Sequence, residues 1–278
     1  MVLPRSYLYV PGNAPDKLAK AAGRGADALI VDLEDAVPVA EKDAALAAVL
    51  AWLATGPVGA GGPEVWVRVN PGARRLDEVR ALAGSPFLTG IVLAKTEDAT
   101  EVDAVAATAA PDQLLMPMVE TPGAVLDARL LAAGPRVRCL QVGEVDLAGE
   151  IRLDVSADEG ELAPYRALVV AGSAAAGVAP PPGPVSREVR DLEVFAASTK
   201  RLLRQGFHGR VCIHPAQVAV VHELLVPSAE RVAEAEATLA LLAAAEAAGS
   251  GVVLDDAGRL VDAAVLHEAR RVLELAER

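Results

Sequence analysis

Short apolar runs rich in β-branched residues alternate with longer runs of Ala and Leu along most of the chain. The short runs at 7–10, 28–33, 64–70, 91–94, 114–119 and 139–142 predict strands. The runs at 15–22, 39–53, 76–83, 98–109 and 124–133 predict the helices between them. The strands show little in–out alternation, as expected when both faces of a sheet are covered. Strands alternating with helices imply βαβ units and a parallel sheet. A further strand is predicted at 210–213, and another between the sixth and this one, at 178–185, although Pro180-Pro181-Pro182 cannot donate to a ladder. Eight strands predict an α/β fold, a (β/α)8 TIM barrel over 1–225. A C-terminal helical extension over 226–278 follows, helical at 230–248 and 263–277 with a break at Gly249-Ser250-Gly251. No G-x-G-x-x-G follows the first strand, which argues against an open doubly wound sheet.

Composition narrows the class. Apolar residues make up 53% of the 278 positions, enough to bury a sizeable core. The net charge of −12 argues against a nucleic-acid partner and offers no basic strip for a membrane surface. No run reaches the roughly 18 consecutive apolar residues of a membrane span. Met1 to Arg5 do not read as a signal segment. Cys139 and Cys212 lie in apolar runs and read as small buried hydrophobes rather than a disulfide framework. A cytoplasmic protein is expected.

In a barrel, chemistry sits at the C-terminal ends of the strands. Those ends carry Asp32, Glu34 and Asp35 after the second strand, and Arg68 and Asn70 after the third. Lys95 follows the fourth, Glu120 the fifth, and Glu144 and Asp146 the sixth. Any one of these has a plain reading as a polar residue where a strand meets water. Five consecutive strands ending this way imply a ring of carboxylates beside two cations. Carboxylates without Cys or His suit a hard ion such as Mg2+, with Glu120 and Asp146 the best ligand pair. Salt bridges to Arg68 and Lys95 are the competing reading. The four histidines show no ligand spacing.

The motifs match a family. Arg5-Ser6, Val10-Pro11-Gly12, Gly25-Ala26-Asp27-Ala28 and Asp32-Leu33-Glu34-Asp35-Ala36-Val37 resemble the citrate lyase beta-subunit-like proteins of the HpcH/HpaI aldolase superfamily. The resemblance continues through Val67-Arg68-Val69-Asn70, Leu93-Ala94-Lys95, Val119-Glu120-Thr121, Gly143 with Asp146-Leu147, Cys212-Ile213-His214-Pro215-Ala216-Gln217 and Gly258-Arg259-Leu260-Val261-Asp262. It implies a Mg2+-dependent lyase, usually trimeric, that joins or splits a 2-oxo acid and an acetyl thioester, as citryl, malyl, β-methylmalyl or citramalyl thioesters require. By position, Glu120 and Asp146 match metal ligands, Arg68 the residue that binds the oxo acid, and Asp262 an aspartate supplied across the subunit interface. Asp262 also has a helix N-cap reading. Glu34 and Asp35 are expected to hold metal-bound water. Arg5, Lys17, Lys20 and Arg24 are the candidate cationic rim for the phosphates of an acyl-CoA, or else solvated helix cations. The sequence departs from the family at Val145-Asp146, at Glu150-Ile151-Arg152 and at Pro182-Gly183-Pro184-Val185, positions that bear on the substrate. An aldolase for free 2-oxo acids and a non-catalytic subunit are the alternatives. The joint presence of Arg68, Glu120 and Asp146 argues against the second.

Overall fold

The computed structural model describes residues 3–59, 61–255, 258–262 and 265–276. It divides into two units, Leu3–Val221 and a second that begins at His222.

The first unit is an α/β fold built on a curled, parallel, seven-stranded sheet. The strands are β1 (Ser6–Pro11), β2 (Ala28–Asp32), β3 (Glu64–Val69), β4 (Gly90–Leu93), β5 (Leu114–Val119), β6 (Gln141–Val142) and β7 (Arg210–Cys212). Their order is β6-β5-β4-β3-β2-β1-β7. Helices α1 (Pro15–Ala21), α2 (Lys42–Ala54), α3 (Arg75–Leu82) and α4 (Ala99–Thr108) connect the first five strands. The run predicted as one helix at 124–133 is two, α5 (Pro122–Leu126) and α6 (Ala128–Ala132), parted at Asp127, which leaves helical geometry. Three helices that the hydrophobic pattern did not single out, α7 (Glu144–Glu150), α8 (Ala163–Ala176) and α9 (Leu192–Arg204), separate β6 from β7, and α10 (Pro215–Leu225) follows.

The strand expected at 178–185 does not form. With three successive prolines the segment lacks the donors for a ladder. It is extended instead, and its few partners lie on both sheet edges. The Ala179 N–H donates to the Arg138 carbonyl (2.9 Å), and Gly183 makes a single parallel bridge to Arg210.

Alternate strand residues meet inside the curl. Tyr7, Ala28, Ile30, Trp66, Val92, Met116, Met118, Cys139 and Val211 form one buried cluster. Because side chains alternate faces along a strand, the next inward positions at the C-terminal ends are Tyr9, Asp32, Arg68, Glu120 and Gln141. The opposite ends are closed by other pairs, Arg138 with Glu64 (2.7 Å) and Arg5 with Asp27 (2.9 Å).

In the second unit, α11 (Ala229–Ala247) and α12 (Leu266–Ala276) pack through Ala235, Ala269 and Val272, with Val232, Leu239 and Leu273 around them. A hairpin of β8 (Val253–Leu254) and β9 (Leu260–Val261), absent from the sequence expectation, lies between the helices. The predicted helix start at Ala263 lies outside the described residues.

Candidate active site

Register sets the centre of the site. Asp32 is the partner of Arg68 in the β2–β3 ladder, so the two side chains emerge side by side on the inner face. Arg68 grips Asp32 with a two-bond fork, Nε to Oδ1 and Nη2 to Oδ2, both 2.7 Å. Its third edge, Nη1, lies 3.1 Å from Glu34 and 3.4 Å from Asp35. The Arg68 guanidinium also stands 4.9 Å from the centre of the Tyr9 ring. The loop after β2 is wound tightly around these carboxylates. The backbone N–H groups of Glu34 and Ala36 donate to Asp32, and the Lys42 ammonium donates to the Leu33 (2.9 Å) and Glu34 (2.5 Å) carbonyls. Asn70, fixed by Glu78, donates to the Leu33 carbonyl from the other side (2.8 Å).

Lys95 has a left-handed backbone, φ +48°, a conformation an L-residue holds only at a cost of about 1–3 kcal/mol when its surroundings demand it. Two contacts make that demand. Its N–H donates to Glu120 Oε1, and its ammonium donates to Glu34 Oε1 at 2.7 Å. Glu120 is 1% exposed. Gly143, where β6 turns into α7, passes so close to it that an added Cβ would lie 2.5 Å from the Glu120 Cβ. Asp146 stands in the first turn of α7 and adds its charge to the same neighbourhood.

The charges do not balance. Five carboxylates, Asp32, Glu34, Asp35, Glu120 and Asp146, face three cations, Arg68, Lys95 and Lys42. Burial pushes the Glu120 carboxyl up to about 7, and the charges of Glu34 and Asp146 add to the push against the Lys95 N–H and Arg68. Burial likewise raises Glu34, against the pull of Arg68. Asp35 is held low because its hydrogen bond with Glu34 and the charges of Arg68 and Lys95 outweigh its own burial. Lys95 is held protonated, first by its hydrogen bond to Glu34.

These groups open onto a cavity of about 860 Å3, whose wall includes Tyr9, Asp32, Asp35, Arg68, Met118, Glu120, Gln141, Asp146 and His214. Of the four expected rim cations, Lys17 and Arg24 line it. Arg5 does not: it is at the N-terminal end of β1, tied to Asp27 through Nε, Nη2 and its backbone N–H. Lys20 is exposed on α1 and outside the cavity wall. Asp262 belongs to the second unit, just after β9. Glu144, read with Asp146 as a strand-end acid, also borders the cavity but is held in a buried pair with Arg166 (2.5 and 2.8 Å). Tyr9 and Gln141 were not singled out by the sequence reading, although a Gln interrupting the apolar run Cys139-Leu140-Gln141-Val142 was the available signal.

A family model for HpcH/HpaI aldolase/citrate lyase matches residues 5–215. The chain is 34% identical over 273 residues to a (3S)-malyl-CoA thioesterase of Cereibacter sphaeroides, covering 98% of this chain and 94% of that protein. It is 33% identical to a citrate lyase subunit beta-like protein of Deinococcus radiodurans, covering 97% and 96%. Among solved structures, protein CitE from Mycobacterium tuberculosis in complex with magnesium, acetoacetate and coenzyme A matches with a TM-score of 0.80 at 28% identity, covering 100% of this chain and 99% of that one. The family model spans more than half of the chain and these relatives match it nearly end to end, so the chain belongs to the HpcH/HpaI aldolase/citrate lyase family.

Proposed function

We propose that the protein is a Mg2+-dependent carbon–carbon lyase. It cleaves or forms a 3-hydroxyacyl thioester of the malyl-, citryl- or citramalyl-CoA kind, giving a 2-oxo acid and an acetyl thioester. The observation that carries this reading is the excess of carboxylates at the strand ends, with Glu120 buried and its carboxyl pushed up to about 7. A divalent cation relieves that repulsion. The donors are all oxygen, and among the described residues no three His, Cys, Asp or Glu form a ready ligand set. Two carboxylates, with water and substrate filling the other positions, suit Mg2+, so Glu120 and Asp146 would hold it. When bound, the ion supplies Lewis-acid polarisation of the acid's oxygens.

The chain's own residues do the rest. Arg68 spends its fork on Asp32, so it meets the substrate acid through its remaining N–H groups at the cavity wall. Glu34 and Asp35 fix Arg68 and Lys95 in place. Lys17 and Arg24 take the phosphates of the thioester carrier. The extended run 179–183 stands in for the missing strand of a (β/α)8 barrel. In a homotrimer Asp262 of a neighbouring copy would supply the acid–base group that moves the hydroxyl or methyl proton. The reading is of a cytoplasmic enzyme.

The similarity to a malyl-CoA thioesterase favours a second reading, hydrolysis of the same thioester. Product analysis separates the two. Incubation with malyl-CoA and Mg2+ should release acetyl-CoA and glyoxylate. Release of free CoA and malate, with no acetyl-CoA at any time, would replace the lyase by the hydrolase. No turnover of malyl-, citryl- or citramalyl-CoA would reject both.

A further inference from the structure

The cavity contains a polar pair for which the charge cluster has no use. Gln141 is 2% exposed. Its Nε2 donates to the Tyr9 hydroxyl at 2.8 Å, while its Oε1 is buried with no hydrogen-bond partner among the described residues. An orphaned buried acceptor is destabilising, and a Leu in its place would pack an already apolar neighbourhood without that cost. Something therefore keeps the amide there. Among the described residues, the hydrogen-bond partner of the amide is Tyr9.

The consequence for Tyr9 follows from the hydrogen-bond inventory of a phenol, which has one donor and can accept. Gln141 fills the accepting side. The hydroxyl hydrogen must go elsewhere, and the acceptor within reach is the Met118 sulfur at 4.0 Å, a thioether and so a weak one. Burial raises the Tyr9 pKa, so the group remains a protonated donor at neutral pH. Tyr9, Gln141 and Met118 all line the cavity, and the Tyr9 ring lies against Arg68. The cavity wall thus carries an O–H donor whose accepting side is filled by an amide and whose own partner is a poor one, next to the guanidinium that the reading above assigns to the acid.

We infer that Tyr9 is a further substrate-binding residue, donating a hydrogen bond to an oxygen of the 2-oxo acid, and that Gln141 positions it. This rests on the lyase reading only in the class of ligand. A carboxylate or carbonyl oxygen is a far better acceptor than the Met118 sulfur, so the hydroxyl exchanges a poor partner for a good one when the acid binds. Hydrogen bonds to charged groups contribute roughly 1.5–3 kcal/mol, which corresponds to a loss of one to two decades in affinity.

The test is a double-mutant cycle read by calorimetry, with oxaloacetate titrated into protein in saturating Mg2+. Tyr9→Phe, which removes one oxygen and keeps the ring against Arg68, should weaken binding tenfold or more. Gln141→Met should weaken it less, because the hydroxyl is then free to rotate. The double variant should bind as Tyr9→Phe does, because Gln141 acts only through that hydroxyl. Wild-type affinity in Tyr9→Phe would overturn the assignment. So would a Gln141→Met loss that adds in full to that of Tyr9→Phe, since the amide would then touch the ligand itself. If Gln141→Met does not fold, Tyr9→Phe alone still decides the role of the hydroxyl. Absence of Mg2+-dependent binding by the wild type would instead sink the lyase reading, and this inference with it.

Discussion

Arg68 carries more of the site than a substrate-binding arginine needs to. It holds Asp32 by two 2.7 Å bonds and draws Glu34 and Asp35 to its third edge. Lysine keeps the charge but lacks the planar fork. Arg68→Lys should therefore lose about 1.5–3 kcal/mol per charged hydrogen bond not remade, seen as a fall of one to two decades in kcat/KM. Wild-type kinetics would show that the guanidinium only packs. Glu120 gives a pH prediction. Its folded pKa, about 7, lies above the ordinary carboxylate value, so the proton is favoured as pH falls through 7 and competes with the metal. Mg2+ affinity of the metal-free protein should drop about tenfold per pH unit below 7 and level off above it. A flat calorimetric profile from pH 8 to 5.5 would count against Glu120 as ligand. At this scale the charged members of the site were legible, because each ends an apolar run and a barrel gathers such ends. Tyr9 was not legible, because strands covered on both faces have no alternation to tell an inward residue from an outward one, and Gln141 showed only as the one polar residue in the apolar run 139–142.

At the scale of elements, the strands through 142 and the helices through 109 were readable from the hydrophobic pattern, since each short β-branched run is followed by an Ala- and Leu-rich one. The reading failed where local chemistry overrode it. Pro180-Pro181-Pro182 left an extended segment with a single bridge where a strand was expected. Helix α7 was missed because it starts directly after a two-residue strand, so its acids read as a strand end. That junction allows a sharp comparison within one helix. An added Cβ at Gly143 would collide with Glu120, whereas one at Gly149 meets nothing within 4 Å. Gly143→Ala should displace Glu120 and weaken Mg2+ binding at least tenfold. Gly149→Ala should leave binding intact and stabilise the helix by about 0.5–1 kcal/mol. Equal metal affinity in the two variants, measured by calorimetry, would separate Glu120 from the metal.

The whole molecule brings seven parallel strands into a curl whose C-terminal ends hold the carboxylate cluster, with a second helical unit in the same chain. If Asp262 completes a neighbour's site in a trimer, Asp262→Asn and Glu120→Ala chains, each nearly inactive, should recover part of the activity when refolded together. Mixed assemblies that regain none would confine Asp262 to its own subunit or to a structural role. The most direct test of the account is a crystal structure with Mg2+, a 2-oxo acid and acetyl-CoA. One metal ion should sit on Glu120 and Asp146, the acid between that ion and Arg68, and the CoA phosphates near Lys17 and Arg24. A cavity that takes up the acid with no metal at Glu120 and Asp146, or a metal bound elsewhere, would contradict it.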